Sequence, residues 1–363
     1  MKTRDKLIQE IENKRTEFKT DNYPMSIGEL VNLYENGEIL INPDFQRYFR
    51  WTDLQKTRLI ESIVLGIPIP SIFVFQRDDG IWEIVDGLQR VSSILQFMGV
   101  LKEKEPLVLQ GTKYLPHFEN YKWNNSENEN LEIPSQLKLF LKRAKLNLSI
   151  ILGDAGANAK FEVFQRLNTG GSYASDQEVR NSGMIMVNKP TFEWFIKLSE
   201  NKNYQNTLSL SERLHDEQYH VELVLRHVAL LYFDYSPKKD VKDFLDDITE
   251  QILLDSEFDY ASIESKFNIT FEKLDELLGE SIFKRFDGER FKGKFLESAF
   301  EAVSIGLAYN LDSYSFPQDN EAIIEKIKNL HSDEHFIRYT GSGSNARTRI
   351  PKVLPYIKNY FAK

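Results

Sequence analysis

The chain has 363 residues, 41% apolar and 12% aromatic, a composition that supports about two globular domains with a sizeable core. It has no cysteine, which excludes disulfides, thiolate catalysis and cysteine-ligated zinc, and no apolar run near the roughly 20 residues of a membrane span, so a cytoplasmic location is expected. A net charge of −9 argues against a broad basic face gripping DNA, while leaving room for local basic clusters.

The segment Lys2–Lys19 is polar, basic and helix-prone. Ser26 followed by Glu29 opens a short helix, and Thr52 followed by Gln55 repeats that capping pattern for a helix that buries Leu54, Ile60, Ile63 and Val64 and stops at Gly66. Ile67-Pro68-Ile69-Pro70 cannot be helical, whereas Ile72-Phe73-Val74-Phe75 reads as a strand. The turn Asp78-Asp79-Gly80 joins it to a second strand, Trp82–Val85. Apolar residues then recur at Leu88, Val91, Ile94, Leu95 and Met98, which is helical spacing. Asn124–Asn130 is a polar loop, Leu146–Leu152 a further strand, and Ser175-Asp176-Gln177-Glu178 the cap of another helix. Beyond Gly183 strand signals nearly vanish, and His220–Tyr232, Lys242–Leu254, Phe267–Leu278 and Gly293–Tyr309 are helical. The expected fold class is α+β over residues 1–183, followed by a mainly helical domain over 184–363.

The junction at Asp86-Gly87 carries the most chemistry. A helix start exposes unpaired N–H groups with partial positive charge, a ready seat for an anion, and Arg90 in the first turn adds a planar fork of donors suited to phosphate. Asp86 has two readings, a helix cap or a partner for water or magnesium beside a phosphate. Gln46 and Arg47 precede the Thr52 helix, and the paired glycines of Asn168-Thr169-Gly170-Gly171, after Arg166, allow close approach of backbone N–H groups to a ligand. Trp51, just before a helix start, reads as a packing residue.

These segments also carry a resemblance. Asp86-Gly87-Leu88-Gln89-Arg90 resembles the DGQQR signature of the N-terminal domain of GmrSD-type restriction endonucleases, a branch of the ParB/sulfiredoxin-like superfamily. Phe45-Gln46-Arg47 with Trp51 resembles that family's FQR-x-x-x-W element, and Phe164–Gly171 followed by Gln177-Glu178-Val179-Arg180-Asn181 supplies a third, in family order. The departure is Leu88, where the common signature has Gln and where an apolar side chain can only pack. The resemblance implies a ParB-like N-terminal domain in a prokaryotic defence protein. That domain would bind, and by extension hydrolyse, a nucleoside triphosphate, coupled to recognition of foreign or modified DNA. It implies phosphate-binding roles for Gln46, Arg47, Gly87, Gln89, Arg90, Arg166, Asn168, Gly170 and Gly171. Asp86, Arg90 and Arg47 are then the catalytic candidates, with magnesium at Asp86, and Arg180 and Asn181 are secondary candidates.

Three further features complete the reading. No His-metal nuclease pattern follows Gly183, so cleavage of DNA would fall to a partner nuclease subunit. His331-Ser332-Asp333-Glu334-His335 formally matches a zinc-peptidase pattern but lacks a downstream ligand. Arg347 and Arg349, after the Gly/Ser-rich segment Thr340–Asn345, are secondary candidates for a lid that closes over a nucleotide, against the plainer reading of that segment as a linker. Two other functions stay open: a non-catalytic DNA-sensing or partner-binding subunit, and a direct metal-dependent nuclease using Asp44 and Asp86.

Overall fold

The computed structural model describes residues 6–12, 20–41, 51–102, 104–152, 162, 175–341 and 344–363. The chain divides into two compact units, residues 1–170 and 171–363.

The first unit is built on a five-stranded mixed sheet. In chain order it contains β1 (Thr20–Ser26), α1 (Ile27–Glu35), β2 (Ile39–Leu40), α2 (Asp53–Leu65), β3 (Ile72–Gln76), β4 (Trp82–Asp86), α3 (Leu88–Phe97), α4 (Ser135–Arg143) and β5 (Lys145–Ile151). The strand order is β1-β5-β3-β4-β2. The hairpin β3–β4 is antiparallel, β3 runs parallel to β5, β1 is antiparallel to β5, and β2 is parallel to β4. β3 is central, and its buried Ile72, Val74 and Phe75 are the β-branched and aromatic residues that a doubly covered strand requires.

Two strands were not legible in the sequence. β1 is polar and contains Pro24, and it exists because every one of its residues is in register with β5, from Thr20 opposite Ile151 to Ser26 opposite Lys145. It sits at a sheet edge, where a missing N–H can be tolerated. β2, of two residues, is the other edge.

The helix signals hold. Thr52 and Gln55 form a reciprocal capping box on α2, which ends at Gly66 in the left-handed region (φ 71°). Ser26 caps α1 by accepting from the Glu29 N–H, but the Glu29 carboxylate accepts from the Tyr23 hydroxyl instead of closing a box. Leu30, Ile60, Ile63, Val91, Ile94 and Leu95 join the strand residues Val74, Ile84 and Leu148 in one core.

The second unit is helical: α5 (Asp176–Val187), α6 (Lys189–Ser199), α7 (Lys202–Thr207), α8 (Glu212–Asp216), α9 (Tyr219–Tyr232), α10 (Val241–Leu254) and α11 (Tyr260–Leu278) come first. A two-residue hairpin, β6 (Arg285–Phe286) with β7 (Phe291–Lys292), interrupts the run before α12 (Glu297–Asn310), α13 (Asn320–Leu330), α14 (Glu334–Thr340) and α15 (Ala346–Tyr360). The division expected after residue 183 falls inside α5, whose packing partners α6, α9 and α10 all belong to the helical unit. α9 and α12 are buried almost all round and form its centre. No described helix is long and apolar enough to cross a membrane.

Candidate functional site

β4 delivers Asp86 to a tight turn, and Gly87 takes φ 95°, a conformation that costs glycine nothing and an L side chain a good deal. Gly87 is also the N-cap of α3, and the cap carries no side-chain hydrogen bond. Asp86 therefore does not cap the helix, as one of its two readings had it. Its Oδ2 instead accepts from Nη2 of Arg90, one turn along, at 2.6 Å. Gly87 has no side chain to cap the positive end of the α3 dipole, and the first turn of α3 contains no acidic residue.

Arg90 does more than face outward. Nη1 donates to the carbonyl oxygens of Pro70 and Ser71, while Nη2 holds Asp86, and the side chain is only 13% exposed. One guanidinium thus ties the chain leading into β3 to the turn leaving β4. Bonds from a charged donor to fixed carbonyls are each worth about 1.5–3 kcal/mol, which makes Arg90 the clamp that shapes the turn. The neighbouring Gln89 accepts from the Trp51 backbone N–H at 3.2 Å. This bond brings the end of the Phe45–Trp51 element against the Asp86–Arg90 element, although 38 residues separate the two partners. Trp51 itself packs against the core, as a residue before a helix start was expected to.

Asp44, Gln46, Arg47, Arg166, Asn168, Gly170 and Gly171 lie outside the described residues. Arg180 and Asn181 are described, and they turn inward within the helical unit. Arg180 is 1% exposed and donates from Nε to Asp246 Oδ1 (2.7 Å) and from Nη1 to Gln177 Oε1 (2.8 Å) and Glu222 Oε2 (3.1 Å). Asn181 is fully buried and accepts from Gln177 Nε2 at 2.8 Å. Arg180 fastens α5 to α9 through Glu222 and to α10 through Asp246, whereas the Gln177–Asn181 bond stays within α5.

Arg349 likewise is committed elsewhere. It lies in α15, 8% exposed, with Nε and Nη2 forked onto the Glu301 carboxylate at 2.9 Å each and Nη2 also 2.7 Å from Glu297. To act as a lid residue Arg349 would have to give up all of these bonds. Arg347 is half-exposed and sits 3.5 Å from Asp240.

The sequence reading missed the network to which Arg349 belongs. Arg226 of α9 contacts Glu222, Glu297 and Glu301, and Glu222 continues to Arg180. Against the upward push of burial, Arg226, the Tyr219 hydroxyl and Arg349 bring the Glu297 carboxyl down to about 2. Glu301 stays raised because burial there outweighs the same two guanidinium groups. The signal was available: Glu222–Arg226 and Glu297–Glu301 are i,i+4 charges inside otherwise apolar helices.

Among the described residues no group of three or more His, Asp or Glu side chains gathers for a metal. His335 stacks on Tyr356 and meets the Lys352 carbonyl oxygen, and the formal zinc pattern gathers no third ligand among the described residues.

Residues 27–185 match the GmrSD restriction endonuclease, N-terminal domain. This stretch takes in all three motif elements and is a GmrSD-type N-terminal domain. Such a domain suggests a restriction-type defence protein. No curated protein and no solved structure matches the chain.

Proposed function

We propose that the chain binds a nucleoside triphosphate at the N-terminus of α3, as the nucleotide-dependent part of a defence system acting on foreign or modified DNA. The observation that carries this reading is a helix start at a left-handed glycine, with no acid in its first turn, held in shape by the Arg90 clamp. A phosphate there would meet the N–H groups of the first helical turn and the dipole together. Arg90 contributes mainly by fixing the turn. Arg47, four residues before Trp51 in sequence, is the candidate for a second cation on the triphosphate. Hydrolysis would need charge stabilisation on the leaving phosphate, a role that falls first to Arg47, because the Nη groups of Arg90 already hold Pro70, Ser71 and Asp86. Magnesium would enter with the triphosphate and share Asp86, one of whose oxygens is already taken by Arg90. DNA cleavage falls to a partner nuclease.

Thermal unfolding with GTP, ATP, CTP and UTP, with and without magnesium, tests the proposal. A ligand at one hundred times its Kd stabilises by about 2.7 kcal/mol, a shift of roughly 5–10 °C for a domain of this size. Arg90→Ala should lose the shift, because the turn that presents the N–H groups relaxes. A folded Arg90→Ala variant that keeps the full shift, or a wild-type chain stabilised by none of the four nucleotides, rejects the assignment.

A further inference from the structure

We propose that the 114–121 turn and helix α4 form a binding surface for single-stranded nucleic acid, with one unstacked base held in an aromatic pocket. The proposal rests on the reading of the chain as acting on DNA, and is independent of the triphosphate seat at α3.

The pocket has a volume of about 270 Å³ and is walled by Tyr114, Pro116, His117, Tyr121, Pro134 and Leu137. Its walls are rings and aliphatic edges, a lining that suits a flat, mostly apolar guest. Tyr114 is 65% exposed, so its ring is presented to solvent instead of filling the core. An exposed aromatic face stacks on any base, whatever the sequence. The turn that carries these rings is fixed from behind. Thr57 of α2 accepts from the Gln110 N–H, the Thr112 hydroxyl donates to the buried Glu61 carboxylate, and Thr112 and Leu115 exchange hydrogen bonds. The pocket is therefore preformed.

Charge selects the guest. From Ser135 to Lys145 the chain carries Lys138, Lys142, Arg143 and Lys145 and no acid, in a protein of net charge −9. Lys138 is held by Glu132, whereas Lys142, Arg143 and Lys145 are exposed, with no carboxylate at ion-pair distance among the described residues. Leu137, Phe140 and Arg143 follow at three-residue spacing, so one ridge of α4 runs from the pocket wall through a half-exposed Phe140 to a cation. The Lys113 ammonium lies 5.5 Å from the Tyr114 ring centre. A stacking ring flanked by uncompensated cations matches a base flanked by phosphodiesters. An acidic peptide would use the cations and leave the ring-lined pocket unexplained.

The test uses the full chain and a labelled single strand of roughly 16 nucleotides, followed by fluorescence anisotropy, with a 2-aminopurine version to report stacking. Tyr114→Ala should weaken binding on the order of tenfold and abolish the quenching of 2-aminopurine. Lys142→Gln with Arg143→Gln should keep the quenching at saturation and reduce the salt slope of log K by about 1.4, two single-strand phosphate contacts. All three positions are exposed, and circular dichroism verifies their folding. Unchanged affinity in Tyr114→Ala overturns the proposal, as does equal affinity for blunt duplex. So does absence of oligonucleotide binding while phosphatidylserine vesicles bind through Lys142 and Arg143. A chain that binds the oligonucleotide but no triphosphate supports this site and rejects only the α3 reading.

Discussion

Replacing Gly87 by alanine should damage the candidate site more than its single methyl group suggests. At φ 95° an L residue is strained by about 1–2 kcal/mol. The new Cβ would also lie 3.0 Å from Ile72 Cγ1 and 3.3 Å from Arg90 Nη2. Ile72 is 1% exposed and cannot yield without disturbing β3, so overpacking adds about 1–2 kcal/mol. Reduced freedom of the unfolded chain returns about 0.4–1 kcal/mol. The net loss should be about 1–3.5 kcal/mol. Gly80→Ala is the control: φ there is 83°, but nothing lies within 4 Å of the added carbon, so only the backbone strain applies. Urea unfolding followed by tryptophan fluorescence reads the difference, since Trp51, Trp82 and Trp123 all lie in the first unit. Pushing Arg90 should also open its bonds to Pro70 and Ser71 and reduce any nucleotide-induced stabilisation. Equal destabilisation by Gly87→Ala and Gly80→Ala would refute the contact reasoning.

Arg349→Met should destabilise the helical unit by about 3–5 kcal/mol, because it strips the fork from a carboxylate that is 3% exposed; adding Glu301→Gln should recover part of that loss in a denaturation series. His227 is buried between Phe267, Phe271 and Ser304, and burial holds its imidazole down to about 3. A folded pKa below the unfolded value of about 6.5 means that only the unfolded chain takes up a proton as pH falls through 6.5. The His227 contribution to stability should therefore be fully present above that pH and decline by about 1.4 kcal/mol per unit as acidity increases towards the folded pKa. His227→Gln should reduce the slope of stability between pH 6.5 and 5 by about 1.4 kcal/mol per unit, leaving the share of His220 and His331, which burial also holds down to about 4. An unchanged slope would exclude a contribution from His227.

The elements that the sequence determined are those whose signal is local. Thr52 with Gln55 and Ser175 with Glu178 are reciprocal caps that depend on residues three apart, and both form. Ile72–Phe75 and Trp82–Val85 pair across Asp79-Gly80 because β-branched and aromatic residues bracket a turn that closes within a few residues. The long helices from Tyr219 onward were visible in their apolar periodicity, but α11 begins earlier than expected, behind its Asp259 cap, and the helix expected from Gly293 begins only at Glu297. The DGLQR element was legible as a strand, a turn and a helix start.

Its inner logic was not. Whether Asp86 caps the helix or grips Arg90 is decided by the carbonyl groups of Pro70 and Ser71, which reach Arg90 only once β3 and β4 have paired. Likewise, polar β1 becomes a strand only because β5 offers it an edge, and Arg180 and Arg349 look like free cations until α9 and α12 surround them with Glu222, Glu297 and Glu301. A charge declares its partner only when burial forces it to find one, because water otherwise solvates it at little cost.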